Sequence, residues 1–250
     1  MLQRRIESTT PPSAVHPLPA RTGTRLRCTG IENSLLAAVP RETYRRLAAG
    51  LQPVVLRFGE ILYEPGDAID HVYFPGASLV SLLTLADGHL ALEVGLIGRE
   101  GVVGIPLVLG HPVSPVRALV QASGTALRMP AADFLREFRL SLPLQRELYR
   151  YTYALMAQIS QTAACNRFHV VEKRLARWLL MTRDRVRANQ FRLTQEFLAH
   201  MLGVRRVGVT NAAHRLQQRK LIAYRRGHIA VLDRQGLETA ACDCYQAQRS

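Results

Sequence analysis

The spacing of hydrophobic and polar positions changes several times along the chain. In residues 31–50, Leu35, Leu36 and Val39, then Tyr44, Leu47 and Ala48, fall at helical intervals and predict a helical entry. From Pro53 onward short apolar runs alternate with turn signals. The runs are Val54–Phe58, Val72–Phe74, Leu79–Leu85, Leu90–Ile97, Val116–Ala122 and Thr125–Met129. Between them stand Pro65-Gly66-Asp67, Pro75-Gly76, Asp87-Gly88, Gly98, Gly110-His111-Pro112 and Ser123-Gly124. Strands at this spacing predict a compact all-β roll, barrel or sandwich of about 75 residues.

After Pro130 the helical period returns. Ala131–Arg139 predicts a short helix, and Pro143 suits the first turn of a long one. Leu144, Leu148, Tyr151, Leu155, Ile159 and Thr162 then form a stripe at intervals of three and four. A helix of roughly 24 residues would be about 36 Å long. Its stripe can pack on its own domain or against a twin helix as a dimer seam.

Residues 170–189 predict a further helix, with Val171, Leu175, Trp178 and Leu179 on one face, and a polar break at Arg187–Gln190. Thr194 is a fitting N-cap for a helix through Met201, with Ala199 a small contact residue and Gly203 a left-handed stop. A second helix begins at Arg205 and turns Val209, Ala212, Ala213 and Leu216 inward. Two steeply crossed helices need a small contact residue, a left-handed turn residue and an apolar anchor, which is the spacing of a helix-turn-helix. Leu221-Ile222, a turn at Arg226-Gly227 and Ile229–Leu232 then predict a basic β-hairpin, or wing. The expected class is α+β.

Charge sharpens this. The 250 residues carry a formal net charge of +14. Residues 166–250 hold 17 Lys and Arg against 6 acids, a net of +11, whereas residues 1–165 hold 16 against 13. A basic third containing a helix-turn-helix and a basic wing suits nucleic acid. Cys28, Cys165, Cys242 and Cys244 show no C-x-x-C pair, so a reduced, cytoplasmic chain with no metal or cofactor is expected. Residues 1–27, rich in Pro, Ser, Thr and Arg, read as a flexible leader without the apolar segment of an export signal, and no run is long enough to span a bilayer.

Gly59-Glu60 and Glu64-Pro65-Gly66-Asp67, the run Val171-Glu172-Lys173-Arg174-Leu175-Ala176-Arg177-Trp178-Leu179-Leu180, and Thr194–Val209 with the wing Leu221–Leu232 resemble the Crp/Fnr family of transcription regulators. The resemblance covers about residues 31–235. It implies an N-terminal antiparallel β-roll of the cyclic-nucleotide-binding, jelly-roll type, a dimerisation helix and a C-terminal winged helix-turn-helix. It further implies a homodimer on a roughly palindromic double-stranded DNA site, with RNA polymerase as a further partner, no membrane and no catalysis. The corresponding segments are 28–142, 143–168 and 169–250, after the leader 1–27.

The cyclic-nucleotide cassette departs from the family pattern. The stretch Gly101–Leu107 has no carboxylate for a ribose, and Arg117 stands about three residues from the phosphate-gripping position, followed by Ala118 and Leu119. Arg117 is expected to pair with an acid or lie on a solvated strand, and cyclic AMP binding in the usual mode is not expected; the effector is left unassigned. Cys28 alone cannot hold an iron–sulfur cluster, and Cys165, near the dimer seam, reads as a small core residue, with a redox switch as the alternative. In the recognition helix, Arg206, Val207, Thr210 and Asn211 are the expected base readers, with Arg206 facing guanine, Val207 a thymine methyl and Asn211 adenine. Thr194, Arg205, Arg215, Arg225 and Arg226 are the expected phosphate contacts. Two other classes compete with this one. A cupin-like metalloenzyme would use His89 and Glu93, but position 91 is Ala; a sensing module that does not bind DNA would leave the basic wing without a role.

Overall fold

The computed structural model describes residues 31–86 and 90–248; the leader 1–27, Cys28 and His89 lie outside the described residues. Two short helices open it, α1 (Ser34–Ala38) and α2 (Arg41–Ala48). One continuous helix over 31–50 is not formed, because Pro40 lacks the N–H that would extend α1 and serves as the N-cap of α2. Seven strands follow: β1 (Gln52–Leu56), β2 (Ile61–Tyr63), β3 (His71–Pro75), β4 (Leu79–Ala86), β5 (Leu90–Ile97), β6 (Arg117–Ala122) and β7 (Gly124–Pro130). They make two antiparallel sheets, β1-β7-β3 and β2-β6-β4-β5, with a 3-10 turn at Ile105–Leu109 between β5 and β6. Their inner faces bury Val72, Phe74, Val80, Ile97, Val120 and Met129. This is the β-roll read from the turn spacing; β2, three residues long, is too short to show an alternating pattern.

Helix α3 (Ala131–Leu140) leads into α4 (Leu142–Phe168), 27 residues and about 40 Å long. Ser141 caps α4 by accepting from the Leu144 amide, and Pro143 sits in its first turn. Of the two packings open to the stripe of α4, the single chain shows the one against its own domain. Leu144 and Leu148 are fully buried, and Leu155, Tyr151, Ile159 and Thr162 also face inward, most of them on the β-roll core of the same chain. The cause is short connection: α3 returns α4 directly onto the roll, so its most apolar stripe is consumed within the protomer. The opposite face carries Tyr149, Tyr153, Met156, Ser160, Ala163 and Arg167, again at intervals of four and three, and is exposed. Tyr153 is 77% and Met156 61% exposed.

The C-terminal domain comprises α5 (Val171–Val186), β8 (Gln190–Arg192), α6 (Gln195–Leu202), α7 (Arg206–Gln218), β9 (Ile222–Arg225), β10 (His228–Val231) and α8 (Arg234–Ala240). Its sheet has the order β8-β10-β9, so the wing has three strands. The segment read as a polar break ends in β8, whose Phe191 is buried opposite Ile229. One apolar core joins Leu175, Trp178, Leu179, Leu198, Val209 and Leu216 to Leu79, Leu83, Leu96 and Ala122 of the roll. The rings of Phe58 and Phe197 meet at 5.4 Å across the same boundary.

A polar thread crosses it too. Trp178 Nε1 donates to Glu93 Oε1 at 2.9 Å, Ser81 Oγ lies 2.7 Å from Glu93 Oε2 and 2.6 Å from Gln121 Oε1, and Gln121 Nε2 donates to Thr182 at 3.1 Å. Ser81 has one proton for two acceptor oxygens. With the Gln121 amide oriented this way, the chain is complete when Glu93 carries a proton and donates to Ser81, which then donates to Gln121. Burial independently raises the Glu93 carboxyl to about 7, outweighing the hydrogen bonds from Ser81 and Trp178. Among the described residues no helix is long and apolar enough to cross a membrane.

Candidate nucleic-acid interface

The site begins with a cap. Thr194 Oγ1 accepts from the Phe197 amide at 3.1 Å, leaving the other free amides of the first turn of α6 pointing outward, where the helix dipole favours an anion. The helix ends in a Schellman arrangement: the Val204 amide donates to Ala199 O at 3.0 Å and the Gly203 amide to His200 O at 3.1 Å. Gly203 has φ +58, and a Cβ there would stand 2.7 Å from Leu92 Cδ1 of β5. This turn reverses the chain into α7, whose Val209, Ala212, Ala213 and Leu216 are buried against α5 and α6.

Because those four residues face inward, the helical period turns Arg206, Val207, Thr210, Asn211 and His214 outward, and all are exposed. Val207 is 61% exposed, an apolar side chain with no cover among the described residues. Thr210 Oγ1 lies 2.8 Å from Gln195 Oε1 and 3.1 Å from Arg206 O, tying the recognition helix to the start of α6. Arg205 is the exposed N-cap of α7. Arg215 and Arg219 both reach Glu172 of α5, at 3.7 and 3.2 Å, so a phosphate contact by Arg215 would compete with that carboxylate.

The wing flanks the same face. β9 and β10 pair with Arg225 opposite His228, and the turn residues Arg226 and Gly227 have φ +49 and +78, a type I′ hairpin turn. Arg225 and Arg226 are exposed at its tip. Tyr224 Oη donates to Leu193 O at 2.8 Å and the Leu193 amide to Gly227 O at 2.7 Å, holding the wing beside the start of α6. Thr194, Gln195, Arg206, His214, Tyr224 and Arg226 thereby line one open groove. The structure brings together the residues expected to read bases with Thr194, Arg205, Arg225 and Arg226; Arg215 lies further along α7 beside Glu172. Gln195 and His214 were missed because a lone polar residue carries no signal until its helix face is known.

The β-roll offers different chemistry. Arg117 donates to Glu64 Oε2 at 2.8 Å, one of the two expectations for it. Between the roll and α4 lies a cavity of about 190 Å³ lined chiefly by apolar groups, including Ile69, Leu82, Val103, Leu155 and Ile159. Glu93 is held by Ser81 and Trp178, and His89, its partner in the cupin reading, lies outside the described residues.

This combination defines a winged helix-turn-helix domain joined to a β-roll. Residues 173–240 match the Crp-like helix-turn-helix domain family. Solved structures of similar fold include FixK2 from Bradyrhizobium japonicum, with TM-score 0.65, 15% identity and coverage of 77% of this chain and 98% of that one. The c-di-GMP-responsive global regulator CLP of Xanthomonas campestris gives TM-score 0.64 at 17% identity, covering 78% and 100%. A CRP-family transcriptional regulator from Thermus thermophilus gives 0.64 at 16%, covering 75% and 96%. No curated protein matches the sequence. The chain has the fold of Crp/Fnr-type transcription regulators, and its residues 173–240 form a Crp-like helix-turn-helix domain.

Proposed function

We propose that the protein is a non-enzymatic, cytoplasmic regulator that binds a roughly palindromic operator as a homodimer and acts on RNA polymerase at the promoter. The observation that carries this reading is the exposed outer face of α7, set between the capped start of α6 and the Arg225–Arg226 wing tip. Arg206 presents a planar fork suited to the O6 and N7 acceptors of guanine, Asn211 suits adenine, and Val207 suits a thymine methyl. Arg205, Arg225, Arg226 and the α6 N-terminus bind phosphates and set register.

The dimer forms through the exposed face of α4, centred on Tyr153 and Met156, where large side chains at heptad spacing have no cover among the described residues. Two-fold pairing places two recognition helices about 34–36 Å apart, one turn of DNA. The β-roll does not bind cyclic AMP in the usual mode, since Arg117 is engaged by Glu64 and the cavity beside α4 is apolar.

Footprinting on the gene's own promoter tests the reading. Arg206→Ala is expected to erase sequence preference, a loss of roughly 1–3 kcal/mol per half-site, while salt-dependent non-specific binding persists. An unchanged footprint would show that α7 is not the reading helix.

A further inference from the structure

Where α4 ends, three thiols and an imidazole converge that the sequence keeps far apart. Cys165 lies in the last turn of α4, and His169, four residues later, is its C-cap. Cys242 and Cys244 follow α8 in the C-terminal tail. Their Sγ and ring-nitrogen atoms all lie within 4.8 Å of one another. Cys165 Sγ is 3.5 Å from Cys242 Sγ, and Cys244 Sγ is 3.5 Å from His169 Nδ1. The three cysteines are free and buried, and His169 is half-buried.

We propose that Cys165, His169, Cys242 and Cys244 form a mononuclear, tetrahedral zinc site that ties the C-terminal tail to the end of α4. Zinc–sulfur bonds of about 2.3 Å and a zinc–nitrogen bond of about 2.0 Å at tetrahedral angles put ligand atoms roughly 3.5–3.8 Å apart. The two separations above fall at that edge length. A span of 4.8 Å brackets one ion and is too tight for a multi-iron cluster. Three thiolates and one imidazole suit zinc, and with four protein ligands the site is closed and structural.

Two further features point to an anionic centre. Gln161 Nε2 donates to Cys244 Sγ at 2.9 Å, the kind of outer hydrogen bond that steadies a metal-bound thiolate. Arg174 and Arg177 are 8% and 6% exposed and make no ion pair within 4.0 Å among the described residues. Among the described residues the Nε of each has no hydrogen-bond partner. Binding would release three thiol protons to solvent and leave a zinc centre of net charge −1, a counterion for these guanidinium groups.

The position gives the site a consequence. His169 and Val170 are the whole link between α4 and α5. Tyr245, one residue past Cys244, donates to Asp184 of α5 at 2.6 Å, so the tail grips both helices and zinc would fix their angle.

The test uses untagged full-length protein purified under reducing conditions, with metals measured by mass spectrometry. About one zinc per chain is expected, lost in Cys244→Ser and in His169→Ala. Gln161→Leu, which removes no ligand, should weaken zinc affinity on the order of 10- to 100-fold. Should the ligand variants fail to fold, cobalt(II) added to zinc-stripped wild-type protein decides: thiolate charge-transfer and intense tetrahedral bands are expected. Metal-free protein that takes up neither zinc nor cobalt, an octahedral cobalt spectrum, stoichiometric copper or iron in place of zinc, or zinc retained by the Cys244→Ser/His169→Ala double variant would each overturn the proposal.

Discussion

Glu93 is where one atom pair can be tested hardest. Its carboxyl is buried between β4, β5 and α5 and is raised from 4.5 to about 7 by desolvation. The folded chain therefore holds this proton more tightly than the unfolded chain. The associated stability is complete below pH 4.5, is lost as pH rises toward 7, and above 7 is gone. At about 1.4 kcal/mol per pH unit, the span from 4.5 to 7 corresponds to about 3 kcal/mol. Glu93→Gln keeps the shape and both bonds, its amide donating to Ser81 and its carbonyl accepting from Trp178, without a group to ionise. Relative to wild type at the same pH, the variant should gain about 3 kcal/mol at pH 8 and under about 1 kcal/mol at pH 5. Guanidinium denaturation of both proteins at the two pH values reads this directly. A difference that does not change with pH, or a variant less stable at pH 8, would refute the neutral, donating carboxyl.

Other outcomes follow from the same geometry. Tyr153→Glu with Met156→Glu should yield a folded monomer by sedimentation, with operator affinity sharply reduced, since the exposed face of α4 would be charged while its buried face is untouched. Leu216→Ala empties a fully buried anchor of α7 and should cost about 2–5 kcal/mol in chemical denaturation. Gly203→Ala places a Cβ at φ +58 and against Leu92, and should cost about 1 kcal/mol or more by thermal melting, more than substitution at an ordinary helix end.

The local signals that the sequence carried were periodicity and backbone chemistry. Turn residues between short apolar runs set out the strands of the roll, because a strand needs a boundary residue wherever it reverses. Thr194, Gly203 and the inward set Val209, Ala212, Ala213 and Leu216 marked the helix-turn-helix, since caps and left-handed turns depend on residues within one turn of each other. The same period fixed the outer face of α7. Arg117 was expected to pair with an acid or lie on a solvated strand, and Glu64 is the partner it found.

Tertiary structure decided what periodicity leaves open. A stripe on α4 announces that a face is buried but not by what; the roll covers Leu144, Leu148 and Leu155, which leaves Tyr153 and Met156 outside. Strand β8 depended on β10 for its pairing, so three residues with one apolar member gave no sign of it. The neutral reading of Glu93 needed Ser81, Gln121 and Trp178 from three different elements. Cys165 and His169 stand more than seventy residues from Cys242 and Cys244, and no linear spacing links them; the packing of α8 and the tail against α4 and α5 makes them neighbours. A sequence records which faces are apolar and where the backbone must turn, whereas which faces meet depends on contacts closed over long loops, and those exist only in the folded chain.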